Sequence, residues 1–450
     1  MTRYTSATDA DRREMLERIG VGSVEELFED IPESLRLGRP LELPGGMSEQ
    51  DVFDHLARLA ERNRHADSEV TFAGAGMYDH YQPAIIDSII SRSEFLTPYT
   101  PYQPEISQGG LQVMFEYQTA ISELTGLPVS NASLYEGPSS VASAGYLAKL
   151  ENKRTKFVAS RGLHPHSRAT LATYGIGFDT ELVETPLDET GATDVEALAA
   201  AVDDDTAAVF VQQPNFLGTV EDLGPLVEAG KRTGALVVCQ VDAMTMGILE
   251  PPGSFGVDVA VGEGQPLGNR LDYGGPSFGF FAAQERYIRK MPGRIAGETV
   301  DADGKRGFVL TLQTREQHIR REKATSNICT AQALNALAGV IYLSWLGRRG
   351  VVEIGELMLR RTAYAREKLG LEAINSGPVV REFAVRVPDV DGAVRRAREA
   401  GINPGYRLGR DYPEYEDGLL IAITERRTRE QIDRLAGVLK GAGVREGAAA

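Results

Sequence analysis

From Lys156 to Gly264 the chain alternates short apolar runs with amphipathic segments: KFVAS, HPHSRATLATYG, FDTELVET, DVEALAAAV, AAVFVQQPN, DLGPLVEAGKRTG, ALVVCQVDA and GVDVAVGEG. Runs such as AAVFV and ALVVC are apolar at every position. They must therefore be covered on both faces, as strands of a parallel sheet are. Helices between consecutive strands supply that cover and the crossover connections. The expected fold is α/β with a mostly parallel sheet. With 450 residues, 42% of them hydrophobic, the chain has material for that sheet and a smaller second domain.

Charge narrows the partners. A net charge of −16 would repel a nucleic-acid backbone or an anionic lipid surface, so neither is expected. No apolar run is long enough to span a bilayer. The beginning of the chain, MTRYTSATDADRREML, is charged rather than apolar, so a cytoplasmic location is expected. Cys239 and Cys329 stand far apart among apolar neighbours and read as buried thiols in a reducing compartment.

Three regions are expected. Residues 1–70 form a helical arm, in which Ser23 and Glu26 have capping-box spacing. Residues 71–325 form the large domain, and residues 326–450 a linking helix with a small C-terminal α/β domain. Before the alternating region lies a loop braced by three prolines, LTPYTPYQPEISQG, and loops of that kind face a surface or a site.

Within VGEGQPLGN, residues 261–269, Gly262, Gly264 and Gly268 approach a dinucleotide fingerprint but are spaced one residue too widely. Pro266 and the following NRLDYGG give a turn where a helix would have to begin. His164 and His166, separated by proline, lack a third ligand for zinc, and no metal site is expected. Ser139 and Ser140 do not form a nucleophile elbow; their hydroxyls read as helix caps.

The order of features is more informative. A Gly/Ser turn at a helix start near residue 138, a strand ending in Asp242 and a further strand with a polar loop resemble the large domain of aspartate-aminotransferase-type pyridoxal phosphate enzymes, fold type I. There the helix start holds phosphate, the aspartate pairs with the pyridinium nitrogen, and a later lysine binds the coenzyme. The lysine is missing: none lies between Lys231 and Lys290, and neither Glu263 nor Gln265 can condense with an aldehyde.

The segments RREMLERIGVGSVEELFEDIPESLRL, YTPYQPEISQG, NASLYEGPSSVASAG, GILEPPGSFGVDVAVGEGQPLGNRLDYGGPSFGFFA and REKATSNICTAQALNAL closely resemble the first subunit of two-subunit glycine dehydrogenases (decarboxylating), the P-protein of the glycine cleavage system. The resemblance extends over essentially the whole chain. It implies that pyridoxal phosphate is held covalently by a lysine of a second subunit, that glycine is decarboxylated there, and that the aminomethyl group passes to the lipoyl arm of H-protein. Two copies of each subunit are implied as well. Loops of this chain would close the partner's pocket. Tyr99, Tyr102, Gln103 and Glu105 are the expected pocket residues, with His80 behind them. Ser139, Ser140, His164 and Asp242 match cofactor-serving positions, which a chain without the lysine would keep as vestiges. Two alternatives stay open: a non-catalytic scaffold that stabilises a coenzyme-bearing partner, and a stand-alone enzyme using Lys323.

Overall fold

The continuous apolar runs form the buried strands expected of them. Seven strands make one sheet, in the order Val129–Ser130, Gly279–Ala283, Val259–Glu263, Leu236–Val241, Thr206–Gln213, Lys156–Ser160 and Glu181–Thr185. The last five in that order are mutually parallel; Gly279–Ala283 runs antiparallel to both of its neighbours. Leu236–Val241 is buried at every residue, as a central strand between two layers of helices must be. On one face the helix Gly137–Asn152, rich in Ala, Ser and Gly, packs against the sheet and the helix Pro165–Phe178.

A second, three-stranded antiparallel sheet has the order Glu382–Arg386, Gly418–Ala422, Tyr406–Arg407 and is covered by the helices Val390–Glu399 and Arg429–Leu439. The short strand Val70–Thr71 pairs in parallel with Ile402–Asn403, and Phe72 joins this smaller core. The helix Ala333–Leu369 ties the two cores together. Its first part packs Leu337 and Tyr342 on the large core, its end packs Ala365 and Leu369 on the small one, and its axis breaks at Gly347, where φ is 61°. Residues 325–332, ahead of this helix, are non-helical and tied down by tertiary bonds, Gly293 N to Ser326 Oγ at 3.0 Å and Gln332 N to Ser133 Oγ at 2.9 Å.

The chain divides into two compact units, Met1–Asn63 and Arg64–Ala450. The computed structural model describes residues 6–275 and 277–441. In the first unit the helix Asp9–Ile19 is closed by a Thr8/Asp11 capping box, and Glu49–Ala60 is capped by Ser48. Glu26 N donates to Ser23 Oγ at 3.4 Å, but the segment it opens, Glu25–Phe28, is a 3₁₀ turn. Among the described residues no helix is long and apolar enough to cross a membrane.

Two sequence expectations fail. Cys239 is buried in its strand, whereas Cys329 is exposed, because the non-helical segment 325–332 leaves it at the surface despite its apolar neighbours. The helix at residue 137 is capped by Glu136 rather than by Ser139 or Ser140: its carboxylate accepts from Ser139 N at 2.9 Å, while Ser140 Oγ donates to the Glu136 carbonyl at 3.0 Å.

Candidate active site

In open α/β sheets ligands gather at the carboxyl ends of the strands. Here that edge carries His164, Asp242, Glu263 and Gln265. Each is already engaged within the chain.

Gln265 takes the place expected of lysine, in the turn after Val259–Glu263. Its Oε1 accepts from Tyr78 N at 2.9 Å, and its Nε2 donates to the carbonyls of Tyr78 at 3.1 Å and Asn269 at 2.8 Å. An amide can do both; an ammonium has no acceptor to offer Tyr78 N. The residue is 1% exposed.

The start of the helix Gly137–Asn152, which should receive a phosphate, receives two carboxylates. Besides Glu136 on Ser139 N, Glu263 accepts from Gly137 N at 3.0 Å and from Gln265 N at 2.9 Å, and Ser277 donates its hydroxyl to Glu263. A carboxylate there suits the positive end of the helix dipole. Burial nevertheless drives the Glu263 carboxyl above its ordinary range, against the pull of these donors.

Asp242 ends its strand as expected, but its Oδ2 lies 2.6 Å from Nη2 of Arg381, a residue 2% exposed in its side chain. The Arg381 guanidinium also lies over the Tyr78 ring, 3.4 Å from the centroid, and its Nη1 meets Nε2 of His80. A ring nitrogen facing a guanidinium can only accept, so Nδ1 of His80 carries the proton given to Glu425 Oε2 at 2.6 Å. Burial alone would raise Glu425; the hydrogen bonds from His80 Nδ1 and Tyr81 N pull its carboxyl below the usual range. Beside Arg381, buried Glu382 accepts from Ala75 N at 2.7 Å and from the Tyr78 hydroxyl at 2.6 Å. Burial still pushes its carboxyl up to about 7. His164 accepts from His166 N at 3.1 Å, and its Nε2 lies 2.9 Å from the Ala75 carbonyl, to which it donates. Burial lowers it to about 4. A Cβ at Gly76 would lie 2.8 Å from that Nε2, so the 75–76 backbone occupies the space beside the ring.

Pyridoxal phosphate therefore does not fit the residues of this chain. The amine is absent, carboxylates fill the anion seat, the aspartate is neutralised from within, and the histidine is covered. The cluster acts as a seam between the two sheets, since Arg381 and Glu382 stand at the start of the three-stranded sheet and Asp242 at the edge of the seven-stranded one.

The seam has a pH signature. Glu382, raised from 4.5 to about 7, gives the fold a contribution that is present below pH 4.5 and lost as pH rises through 7, about 3 kcal/mol in all. His164, lowered from 6.5 to about 4, acts oppositely: its contribution is present above pH 6.5 and lost as pH falls through 4. The two slopes oppose each other where they overlap. Glu382→Gln removes only the first, so denaturation midpoints of the variant should gain on the wild type by up to about 3 kcal/mol between pH 5 and pH 8. Parallel curves would contradict the assignment.

The tyrosine loop lies apart from this seam. Tyr99 is 74% exposed, and Gln103 and Glu105 are exposed around the 3₁₀ turn Pro104–Ile106. Gln108 pins the loop to the hairpin Ile295–Thr311: its amide donates to the Pro104 carbonyl at 2.7 Å and the Phe308 carbonyl at 2.9 Å, and accepts from Phe308 N at 2.8 Å. Tyr102 is half-exposed; its hydroxyl accepts from Arg294 Nη2 at 3.0 Å, and the His318 ring stands edge-on at 5.8 Å. Thus His80 and Asp242 meet through Arg381, and Ser139 and Ser140 meet Glu136, while no hydrogen bond among the described residues joins them to the loop. Arg381, Glu382, Glu425, Glu136 and Arg294 were not anticipated. Only Glu136, an acidic residue just ahead of Gly-Pro-Ser-Ser, carried a local signal.

A model of the family described as glycine cleavage system P-protein matches residues 2–439. The protein named probable glycine dehydrogenase (decarboxylating) subunit 1 of Carboxydothermus hydrogenoformans is 50% identical over 445 residues, 98% of this chain and 99% of its own. Its namesake in Brevibacillus brevis is 48% identical, covering 97% of this chain and 98% of its own. A crystal structure of glycine decarboxylase (P-protein) of the glycine cleavage system, in inhibitor-bound form, superposes with a TM-score of 0.87 at 41% identity, over 98% of this chain and all of that one. The cysteine desulfurase CsdA of Escherichia coli, at 15% identity, TM-score 0.62 and coverage of 84% of this chain and 95% of its own, shares the fold, that of fold-type I pyridoxal phosphate enzymes. By sequence along nearly its whole length, and by fold, the chain belongs to the glycine cleavage system P-protein family.

Proposed function

We propose that this chain is the subunit of a two-subunit glycine dehydrogenase that carries no coenzyme lysine, working with a homologous partner that holds pyridoxal phosphate. The coenzyme, bound on the partner, supplies the electron sink for loss of the glycine carboxylate; the aminomethyl group then passes to the lipoyl group of H-protein. This chain contributes a wall of the shared pocket, with Tyr99, Tyr102, Gln103 and Glu105 reaching across, two copies of each subunit in the assembly, and a cytoplasmic location.

One observation carries the proposal: the chain's own coenzyme place is closed by Gln265, Glu263 and Arg381, while a loop with hydroxyl, amide and carboxylate groups stays turned outward. A protein that had lost all part in the chemistry would have no need for such a loop. Each subunit alone, given pyridoxal phosphate and glycine, should show no exchange of labelled CO2 into glycine. The mixture should exchange, and Tyr102→Ala in an assembled complex should lower the rate about 10–100-fold, the scale of a lost pocket hydrogen bond and its positioning. Exchange by this chain alone, or a borohydride-trapped phosphopyridoxyl group on it, would refute the split site. Unchanged turnover across all four loop substitutions would make the chain a scaffold.

A further inference from the structure

Five arginines are buried: Arg168, Arg294, Arg315, Arg381 and Arg427. Four have a carboxylate within 4.0 Å, from Glu184, Glu316, Asp242 and Asp79 respectively. Among the described residues Arg294 has none. Its Nη2 donates to the Tyr102 hydroxyl at 3.0 Å and to the Cys329 carbonyl at 2.8 Å, but its Nε and Nη1 meet no acceptor. Glu316 is near enough to sense its charge, yet that carboxylate is turned to Ser326 at 3.4 Å and Arg315 at 3.8 Å.

A guanidinium, permanently charged, costs several kcal/mol to strip of water without a counterion. Arg381 and Arg427 also leave buried N–H groups without a hydrogen bond, but each lies against a carboxylate, and Arg315 gives its N–H groups to the carbonyls of Met291, Gly293 and Leu312; Arg294 has neither remedy in full. Arg294 is left with open donors directly beneath Tyr102, whose ring centroid lies 5.0 Å from the guanidinium carbon. The phenolic oxygen on Nη2 stands where an anionic oxygen would be held, and its own proton is free to donate outward.

We infer that Arg294 and Tyr102 form an oxyanion subsite, completed when the partner subunit presents its bound coenzyme or substrate: Arg294 supplies charge and N–H donors to a phosphate or carboxylate, and Tyr102 roofs the site and adds its hydroxyl. The inference rests on the proposed function, since it places the anion on the partner's side of the shared pocket. Tyr102 is 46% exposed at the mouth of the site, whereas Arg294 is 5% exposed beneath it, directly before the strand Ile295–Val300.

The test uses the complete two-subunit assembly carrying Arg294→Lys or Arg294→Gln, with pyridoxal phosphate half-saturation and glycine KM measured separately. If the oxyanion is phosphate, the half-saturation concentration should rise about tenfold or more while KM at saturating coenzyme holds; if it is the glycine carboxylate, KM should rise by that factor and the half-saturation should hold. Both constants within about twofold of wild type in an assembled complex would overturn the subsite. Should neither variant assemble, a crystal structure of the wild-type assembly with pyridoxal phosphate and glycine decides. A phosphate or carboxylate oxygen of either within about 3.5 Å of Nε or Nη1 upholds the subsite, and a water or a partner side chain there removes it. Tyr99→Ala and Glu105→Gln serve as controls: if they lower turnover and the Arg294 variants do not, only the oxyanion subsite falls; if none of these has an effect, the shared pocket falls with it.

Discussion

Asp242→Ala is expected to destabilise the chain by about 3–5 kcal/mol, because it leaves Arg381 buried, charged and without its carboxylate. Arg381 is 2% exposed in its side chain and lies on the Tyr78 ring, so it cannot turn to water for relief. The double change Asp242→Ala with Arg381→Met, which removes both charges and keeps an apolar side chain against Tyr78, should recover most of that loss. Denaturant midpoints of the two singles and the double form the cycle. A double variant as unstable as the aspartate variant alone would show that Asp242 matters for something other than its pairing with Arg381. In a working coenzyme site, by contrast, that carboxylate is held ready for a ligand, and its loss would chiefly reduce activity.

Gly218→Ala should be comparably severe, about 4 kcal/mol, on two independent grounds. Its φ is +92°, a conformation that L residues rarely adopt, and an added Cβ would fall 1.9 Å from the Glu382 carbonyl oxygen. The obstacle is backbone, so no side chain can swing away, and the strand it would push carries Glu382 and follows directly on Arg381. Gly437→Ala is the control. That glycine lies inside the helix Arg429–Leu439 with nothing within 4 Å of a Cβ, and the change should be neutral or stabilise by about 0.5–1 kcal/mol. Similar melting shifts for the two would mean that the loop at residue 218 is not held against the smaller domain as described.

What could be read from the residues and what could not divides along physical lines. Strands such as Thr206–Gln213 and Leu236–Val241 were legible because a run apolar at every position has only one comfortable environment. The missing amine was legible because an absence needs no geometry. The fate of that site was not: Arg381 reaches Asp242, and Glu425 reaches His80, only after segments far apart in sequence have packed, and nothing local to REFAVRV or ITERR announces it. Ser139 and Ser140 misled because hydroxyls are the usual helix caps; the preceding Glu136 has the longer arm and the charge that the helix end prefers. Cys329 misled because apolar neighbours in sequence say little about a segment held open by tertiary hydrogen bonds.

The seam through Arg381, Asp242 and Glu382 also bears on how such an assembly can move. Enzymes that close over a substrate by swinging one domain toward another need a weak, re-formable boundary between them. Here the boundary between the two sheets is riveted by a desolvated cation and its anion, so the two halves of this chain are held together rather than free to swing.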